Sequence, residues 1–158
     1  MHIRPLTDAD AEAVLALNEE SVTALAPMRE ADLLRFRKLT SQTLVCEVDG
    51  LVAGFAIAYP PGTDYDSINY LWHAERFADF LYLDRIAVSA QLRRRGIASA
   101  IYDAMEEAAR PRGRMVCEIY SEPPNAVSIA FHRARGYREI GYLDQLNGHR
   151  AVMMEKPL

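Results

Sequence analysis

Cysteine is scarce in this chain of 158 residues, and long apolar runs are missing. Cys46 and Cys117 each lie in a strand-like apolar run, so they read as buried free thiols, in keeping with a cytoplasmic address. No Cys/His spacing suits a metal, and none is expected. No apolar stretch approaches the roughly 20 residues that a bilayer span needs, so no membrane partner is expected. Met1-His2-Ile3-Arg4 leads straight into a strand-like start, with no signal-peptide pattern. A basic field is also lacking. Lysine and arginine total 18 against 22 aspartates and glutamates, a net charge of −4 that argues against a nucleic-acid partner. No repeat or low-complexity linker divides the chain, which is expected to form a single domain over residues 1–158.

The most informative stretch is residues 81–110. Residues 81–88 are apolar and β-compatible and predict a buried strand. Residues 89–95 break the pattern with polar and basic side chains. From Gly96 the period becomes helical, with Ile97, Ile101, Ala104, Met105 and Ala108 apolar. Ser99, Asp103, Glu106 and Arg110 fall on one narrow polar stripe. The first turn of a helix carries unpaired N–H groups and partial positive charge, which suits a phosphate. Arg93, Arg94 and Arg95 add charge, Gly96 lets the backbone approach a ligand, and small Ala98 and Ser99 keep that approach open. A solvated strand–helix connection is the plainer alternative. The stretch is neither a phosphate-binding Gly-Lys-Ser/Thr loop nor a three-glycine dinucleotide fingerprint.

A second pattern follows Pro124. Asn125, Ser128, His132 and Arg135 recur at spacings of three, four and three, on one face of a helix expected over 125–135. Ala126, Ile129, Ala130, Phe131 and Ala134 take most of the rest. An ordinary solvent face is the alternative reading of the polar stripe.

The remaining elements frame these two. Residues 2–6 predict an edge strand, and Thr7 with Asp8 and Asp10 starts a helix whose apolar face is Ala13, Val14 and Leu17. Residues 30–38 predict another helix, with Leu33, Leu34 and Phe36 inward. Residues 43–48 and 51–59 flank Asp49-Gly50, a strong hairpin signal. Gly54 inside the second strand indicates a bulge or close packing. Residues 60–80 hold Tyr65, Tyr70, Trp72, Phe77 and Phe80 beside Asp64, Asp66, Glu75 and Asp79. They could hold a cationic amine, or form a short helix near 69–77 that patches the sheet or makes a homodimer contact. Strands are expected at 115–120, 137–143 and 151–155, the last two joined at Asn147-Gly148. The order of elements indicates an α/β fold with a mixed sheet.

At these residues the chain resembles the GNAT superfamily of acyl-CoA-dependent N-acyltransferases. The superfamily's pyrophosphate pattern is Gln or Arg, two residues, Gly, one residue, Gly or Ala, and Arg93, Gly96 and Ala98 meet it. Its second pattern reads here as Asn125, Ser128, Phe131-His132 and Gly136-Tyr137. The resemblance implies a mostly antiparallel mixed sheet flanked by helices, with two strands splayed around acetyl-CoA. It also implies direct transfer of an acetyl group to an amine of a small molecule or peptide. Ile86, Ala87 and Val88 would contact the pantetheine through their main chain. Arg93, Arg94, Arg95, Gly96, Ile97, Ala98 and Ser99 would hold the pyrophosphate, and Asn125, Ser128, Phe131 and His132 would line the cofactor path. His132 stands where many members have the tyrosine that protonates the leaving thiolate, and imidazole can do this near neutral pH. Asp84, on one face with Tyr82, Ile86 and Val88, and Glu118, with Val116 and Tyr120, are the candidate general bases. Asp84 has the alternative of an ion pair with Arg85. A non-catalytic acyl-CoA sensor on the same fold is the competing function, supported by the replaced tyrosine. Acetylation of charged tRNA is disfavoured by the acidic balance.

Overall fold

Residues 43–59 fold as the alternation and the Asp49-Gly50 pair dictate. In the computed structural model of the chain, which describes residues 1–158, strand β2 spans Thr43–Val48 and β3 spans Leu51–Tyr59. Asp49 and Gly50 both have positive φ, 53° and 79°, as a tight turn matching the strand twist requires. Preceding them are β1 (His2–Pro5), α1 (Ala11–Glu19) and α2 (Glu30–Leu39). Following them are α3 (Ile68–Ala74), β4 (Leu81–Val88), α4 (Ile97–Ala109), β5 (Arg114–Glu122), α5 (Ala126–Ala134), β6 (Arg138–Asp144) and β7 (Arg150–Pro157). The strand order is β1-β2-β3-β4-β5-β7-β6. Strands β4 and β5 pair in parallel, whereas β1/β2, β2/β3, β5/β7 and β6/β7 are antiparallel, so the sheet is mixed and mostly antiparallel.

The chain forms two compact units. The first comprises Met1–Tyr59 and Leu83–Ala108. Its core gathers Val14, Leu33, Val45, Phe55, Ile57, Ile97, Ile101 and Met105, all at most 1% exposed. Gly54 answers to both sequence expectations. A bulge lies opposite it at Cys46/Glu47, and a Cβ at Gly54 would come within 2.9 Å of the Ala87 carbonyl and 3.0 Å of Ile101. The structure refines the start of the first helix and corrects one sequence reading, in α2. The first helix begins as a tight turn, Asp8–Asp10, because Asp10 is drawn back to Thr7 and to Arg4. The Arg4 guanidinium, helped by Thr7, holds the Asp10 carboxyl far below the usual carboxylate range. Leu34 is exposed, so Leu33 and Phe36 alone of the expected trio are buried in α2. Glu106, on the polar stripe of α4, is buried.

The second unit comprises Pro60–Tyr82 and Ala109–Leu158. The pairing of β4 with β5 lies within it and joins Leu81 to Met115 and Tyr82 to Val116. Residues 60–80 adopt the helical alternative. Tyr65, Tyr70 and Phe80 are buried, and Tyr70 stacks edgewise on Tyr65 and contacts Phe80 and Tyr82. Trp72 lies on β6 at Gly141, where a Cβ would sit 2.7 Å from its ring. Asp64, Asp66, Glu75 and Asp79 are exposed, and Asp79 is bonded to Arg112 at 2.9 Å. The aromatics are therefore packing groups, and they are not arranged with the acids as a cage for an amine.

His73 is fully buried beside Trp72, Phe77 and Tyr82. Burial, reinforced by the charge of Arg76, pushes its pKa down to about 4 from the ordinary 6.5. The unfolded chain therefore binds a proton that the folded chain refuses. Stability from this group is complete above pH 6.5 and is lost as the pH falls toward 4, by about 3 kcal/mol in all. Denaturant titrations should show that loss in the wild type and a flatter profile over the same window in His73→Phe. Parallel profiles would contradict the assignment.

Candidate functional site

The basic turn belongs to the first unit. Strand β4 ends at Val88, a short turn at Ala90–Leu92 follows, and α4 opens at Ile97. The Ser89 N–H donates to the Ala53 carbonyl, which ties the strand end to β3. Arg93, Arg94, Arg95 and Gly96 are exposed, and Ala98 and Ser99 are half-buried. Gly96 has φ +79°, and beyond its two chain neighbours nothing lies within 4 Å of where its Cβ would stand. Its backbone conformation disfavours any side chain, and the space beside it is open. Arg94 shares the left-handed conformation, with φ 63°. Ile97 is buried with its side chain near Gly54, so it can offer a ligand only its main chain. A basic turn opening a helix of 13 residues can take a phosphate or pyrophosphate.

The same unit holds Asp84, Ile86 and Val88 on the half-open face of β4, while Leu83, Arg85 and Ala87 point inward. Alternation should keep Asp84 and Arg85 apart. The long arginine side chain nevertheless curls back, and its Nε lies 3.3 Å from Asp84 Oδ2. Arg85 Nη1 also donates to Asn18 Oδ1 at 3.0 Å and to the Ala26 carbonyl at 2.6 Å. Asn18 is fully buried. Asp84 thus serves a buried cation that fastens the segment after α1, which is the ion-pair alternative of the sequence reading.

The second unit places Glu118 at the centre of a polar cluster. Its Oε1 accepts from the Tyr82 hydroxyl and from Asn69 Nδ2, each at 3.0 Å. Asn69 and Gln145 exchange amide hydrogen bonds at 3.0 and 2.9 Å. Sequence reasoning missed Asn69 and Gln145. They stand 76 residues apart, and neither type nor spacing marks them.

On α5, Asn125 is the N-cap, accepting from the Ser128 N–H at 3.2 Å. The polar stripe is the covered side of this helix, and a solvent face is ruled out. His132 is 4% exposed, whereas Val127 is 84% exposed. His132 Nδ1 lies 2.7 Å from the Ser128 carbonyl, and its ring packs edgewise on Phe131 and Tyr137. A carbonyl only accepts, so Nδ1 carries the hydrogen, and a neutral ring then presents an acceptor at Nε2.

Residues 11–137 match the acetyltransferase (GNAT) family, and the chain belongs to that family. It is 27% identical over 152 residues to phosphinothricin N-acetyltransferase of Streptomyces viridochromogenes, across 90% of this chain and 77% of that protein. It is 31% identical over 104 residues to L-2,4-diaminobutyric acid acetyltransferase of Nocardia farcinica, across 66% of this chain and 47% of that protein. The fold is shared with Ard1 from Thermoplasma volcanium, at TM-score 0.80 and 21% identity, covering 99% of this chain and 97% of that one. It is shared also with ribosomal-protein-alanine N-acetyltransferase from Brucella melitensis, at TM-score 0.78 and 24% identity over the whole of both chains. No helix is long and apolar enough to cross a membrane.

Breaking a buried ion pair strands its partner. Asp84→Ala should therefore cost about 3 kcal/mol of stability by denaturant titration. An unchanged midpoint would return Asp84 to the list of candidate bases.

Proposed function

We propose that the chain is an N-acetyltransferase, a single catalytic domain that moves an acetyl group from acetyl-CoA to an amine of a small molecule or peptide. The observation that carries this reading is the exposed basic turn with its left-handed Gly96 at the start of α4, inside the stretch that matches the family. Acetyl-CoA supplies an activated thioester. Backbone N–H groups of residues 96–99 and the three arginines bind its pyrophosphate. The main chain of Ile86, Ala87 and Val88 pairs with the pantetheine arm, and an N–H there polarises the thioester carbonyl.

Glu118 is the general base. It takes the proton that the amine must lose as its nitrogen bonds to the acetyl carbon. His132 is assigned to the departing thiolate. With Nδ1 bound to the Ser128 carbonyl, it can give a proton from Nε2 only as the imidazolium. A small-molecule acceptor is favoured by the sequence relatives, whose names specify phosphinothricin and L-2,4-diaminobutyric acid.

Changing Arg93, Arg94 and Arg95 together to Gln should weaken acetyl-CoA binding about 30-fold by calorimetry, as three exposed charge contacts of about 0.7 kcal/mol imply. Unchanged affinity would remove the turn from the cofactor site. This triple variant is a cleaner probe than Gly96→Val, which would also strain a left-handed residue.

Turnover with phosphinothricin, L-2,4-diaminobutyrate and an alanyl peptide tests the chemistry. Glu118→Gln should lower kcat at least about 100-fold and leave acetyl-CoA affinity intact. His132→Ala should lower kcat by about 100-fold if Nε2 is the acid. A kcat preserved within a fewfold would make His132 a packing group of α5. Binding of acetyl-CoA without transfer to any amine would favour the sensor reading.

A further inference from the structure

The segment at 60–80 brings an amide against the Glu118 carboxylate. Helix α3 is braced by its own surroundings: the Tyr70 hydroxyl donates to the Pro60 carbonyl and accepts from the Thr63 N–H, both at 3.0 Å. Trp72 presses on Gly141 of β6. One residue before Tyr70, half-buried Asn69 faces the Glu118 carboxylate.

All the hydrogen-bonding capacity of the Asn69 amide nitrogen is spent in two directions. One Nδ2 hydrogen goes to Glu118 Oε1 at 3.0 Å and the other to Gln145 Oε1 at 3.0 Å. Its Oδ1 accepts from Gln145 Nε2 at 2.9 Å, and that nitrogen also donates to the Leu143 carbonyl at 3.1 Å. The reciprocal amide pair fixes which end of Asn69 meets the carboxylate. Turning the amide over would set its oxygen against Glu118 and break both bonds to Gln145. Gln145 is itself held, because its N–H donates to the His149 carbonyl at 2.8 Å. A second tie from the same turn reaches the next residue on that face of β5: Asn147 Nδ2 donates to the Tyr120 hydroxyl at 3.1 Å.

We propose that Asn69 is a positioning residue, locked by Gln145, that orients the Glu118 carboxylate to accept the proton of the acceptor amine. The inference rests on the reading of Glu118 as the base. The amine nitrogen bonds to the acetyl carbon, the carbon–sulfur bond breaks, the thiolate leaves, and the nitrogen's proton passes to the Glu118 carboxylate. Tyr82 from β4 supplies the other hydrogen bond to Oε1, and Met153 of β7 is the register neighbour of Glu118. Asn69 is thus an amide donor to Oε1, and the Tyr82 phenol is a titratable neighbour. An asparagine suits the post because it donates to two acceptors and accepts from a third group in one plane.

The test needs no known acceptor for its first readout. The Glu118 side-chain carboxyl is followed by carbon-detected NMR titration in wild type, Asn69→Ala, Asn69→Asp and Gln145→Ala. Acetyl-CoA calorimetry and circular dichroism serve as fold controls. In Asn69→Asp a second carboxylate replaces the donor, and the Glu118 midpoint should rise by about one pH unit, carrying the acid limb of the rate profile with it. Asn69→Ala and Gln145→Ala should lower kcat about 10- to 100-fold, as expected for a lost hydrogen bond to a charged group, while the acetyl-CoA KM stays put. If Asn69→Ala fails to fold, Gln145→Ala, in a turn, carries the same expectation. A full-rate Glu118→Gln enzyme overturns the base assignment and the positioning role together. An inactive Glu118→Gln enzyme beside full-rate Asn69 and Gln145 variants with an unmoved Glu118 midpoint overturns the positioning role alone.

Discussion

No side chain fits at Gly54, and the placement of the basic turn follows from that restriction. Strand β3 approaches so closely there that a Cβ would press on the Ala87 carbonyl, Ile101 and Ile97. Ala87 is the penultimate residue of β4, and Ile97 is the first of α4. One empty position on β3 therefore docks both ends of the loop that carries the three arginines. With Ile97 and Ile101 buried on it, the first turn of α4 is held against a rigid strand, and its N–H groups are presented by a preorganised backbone. The hydrophobic effect fixes the helix, and the unpaired helix start gives the fixed place its chemistry.

The second unit shows a different economy of residues. Its aromatics are committed to packing, and its exposed acids pair with nearby arginines or face solvent. Around one half-open carboxylate, Glu118, stands a neutral set: the half-open amides of Asn69 and Gln145 and the buried Tyr82 hydroxyl. Neutral donors stabilise a carboxylate without adding a fixed positive charge that would repel an approaching ammonium. Glu155 contrasts with it. Buried and bonded by Arg114 and Arg138 in the same unit, it is fastened as structure.

Much of this was legible from local pattern. Strands 43–48, 51–59 and 81–88 were bounded by strong breakers and by a change of period, and they appear with those limits. The basic turn and the stripe on α5 were legible because spacing alone puts residues on a face. Burial was less so. Periodicity did not reveal that the polar side of α5 is the covered one, or that Glu106 is buried, because a neighbour's demands decide which face turns inward. The ion pair of Asp84 and Arg85 escaped the alternation rule because a long side chain can double back. Asn69 and Gln145 were invisible for a different reason. Their pairing depends on a contact across 76 residues of chain, and neither carries a local signal.

Whether backbone amides at the start of α4 receive the pyrophosphate of CoA is decided by titrating the labelled protein with CoA and following its backbone amide resonances. The N–H signals of Gly96, Ile97, Ala98 and Ser99 should shift strongly and saturate together with those of Ile86, Ala87 and Val88. Saturable binding that leaves the four helix-start amides unmoved would contradict that placement of the pyrophosphate.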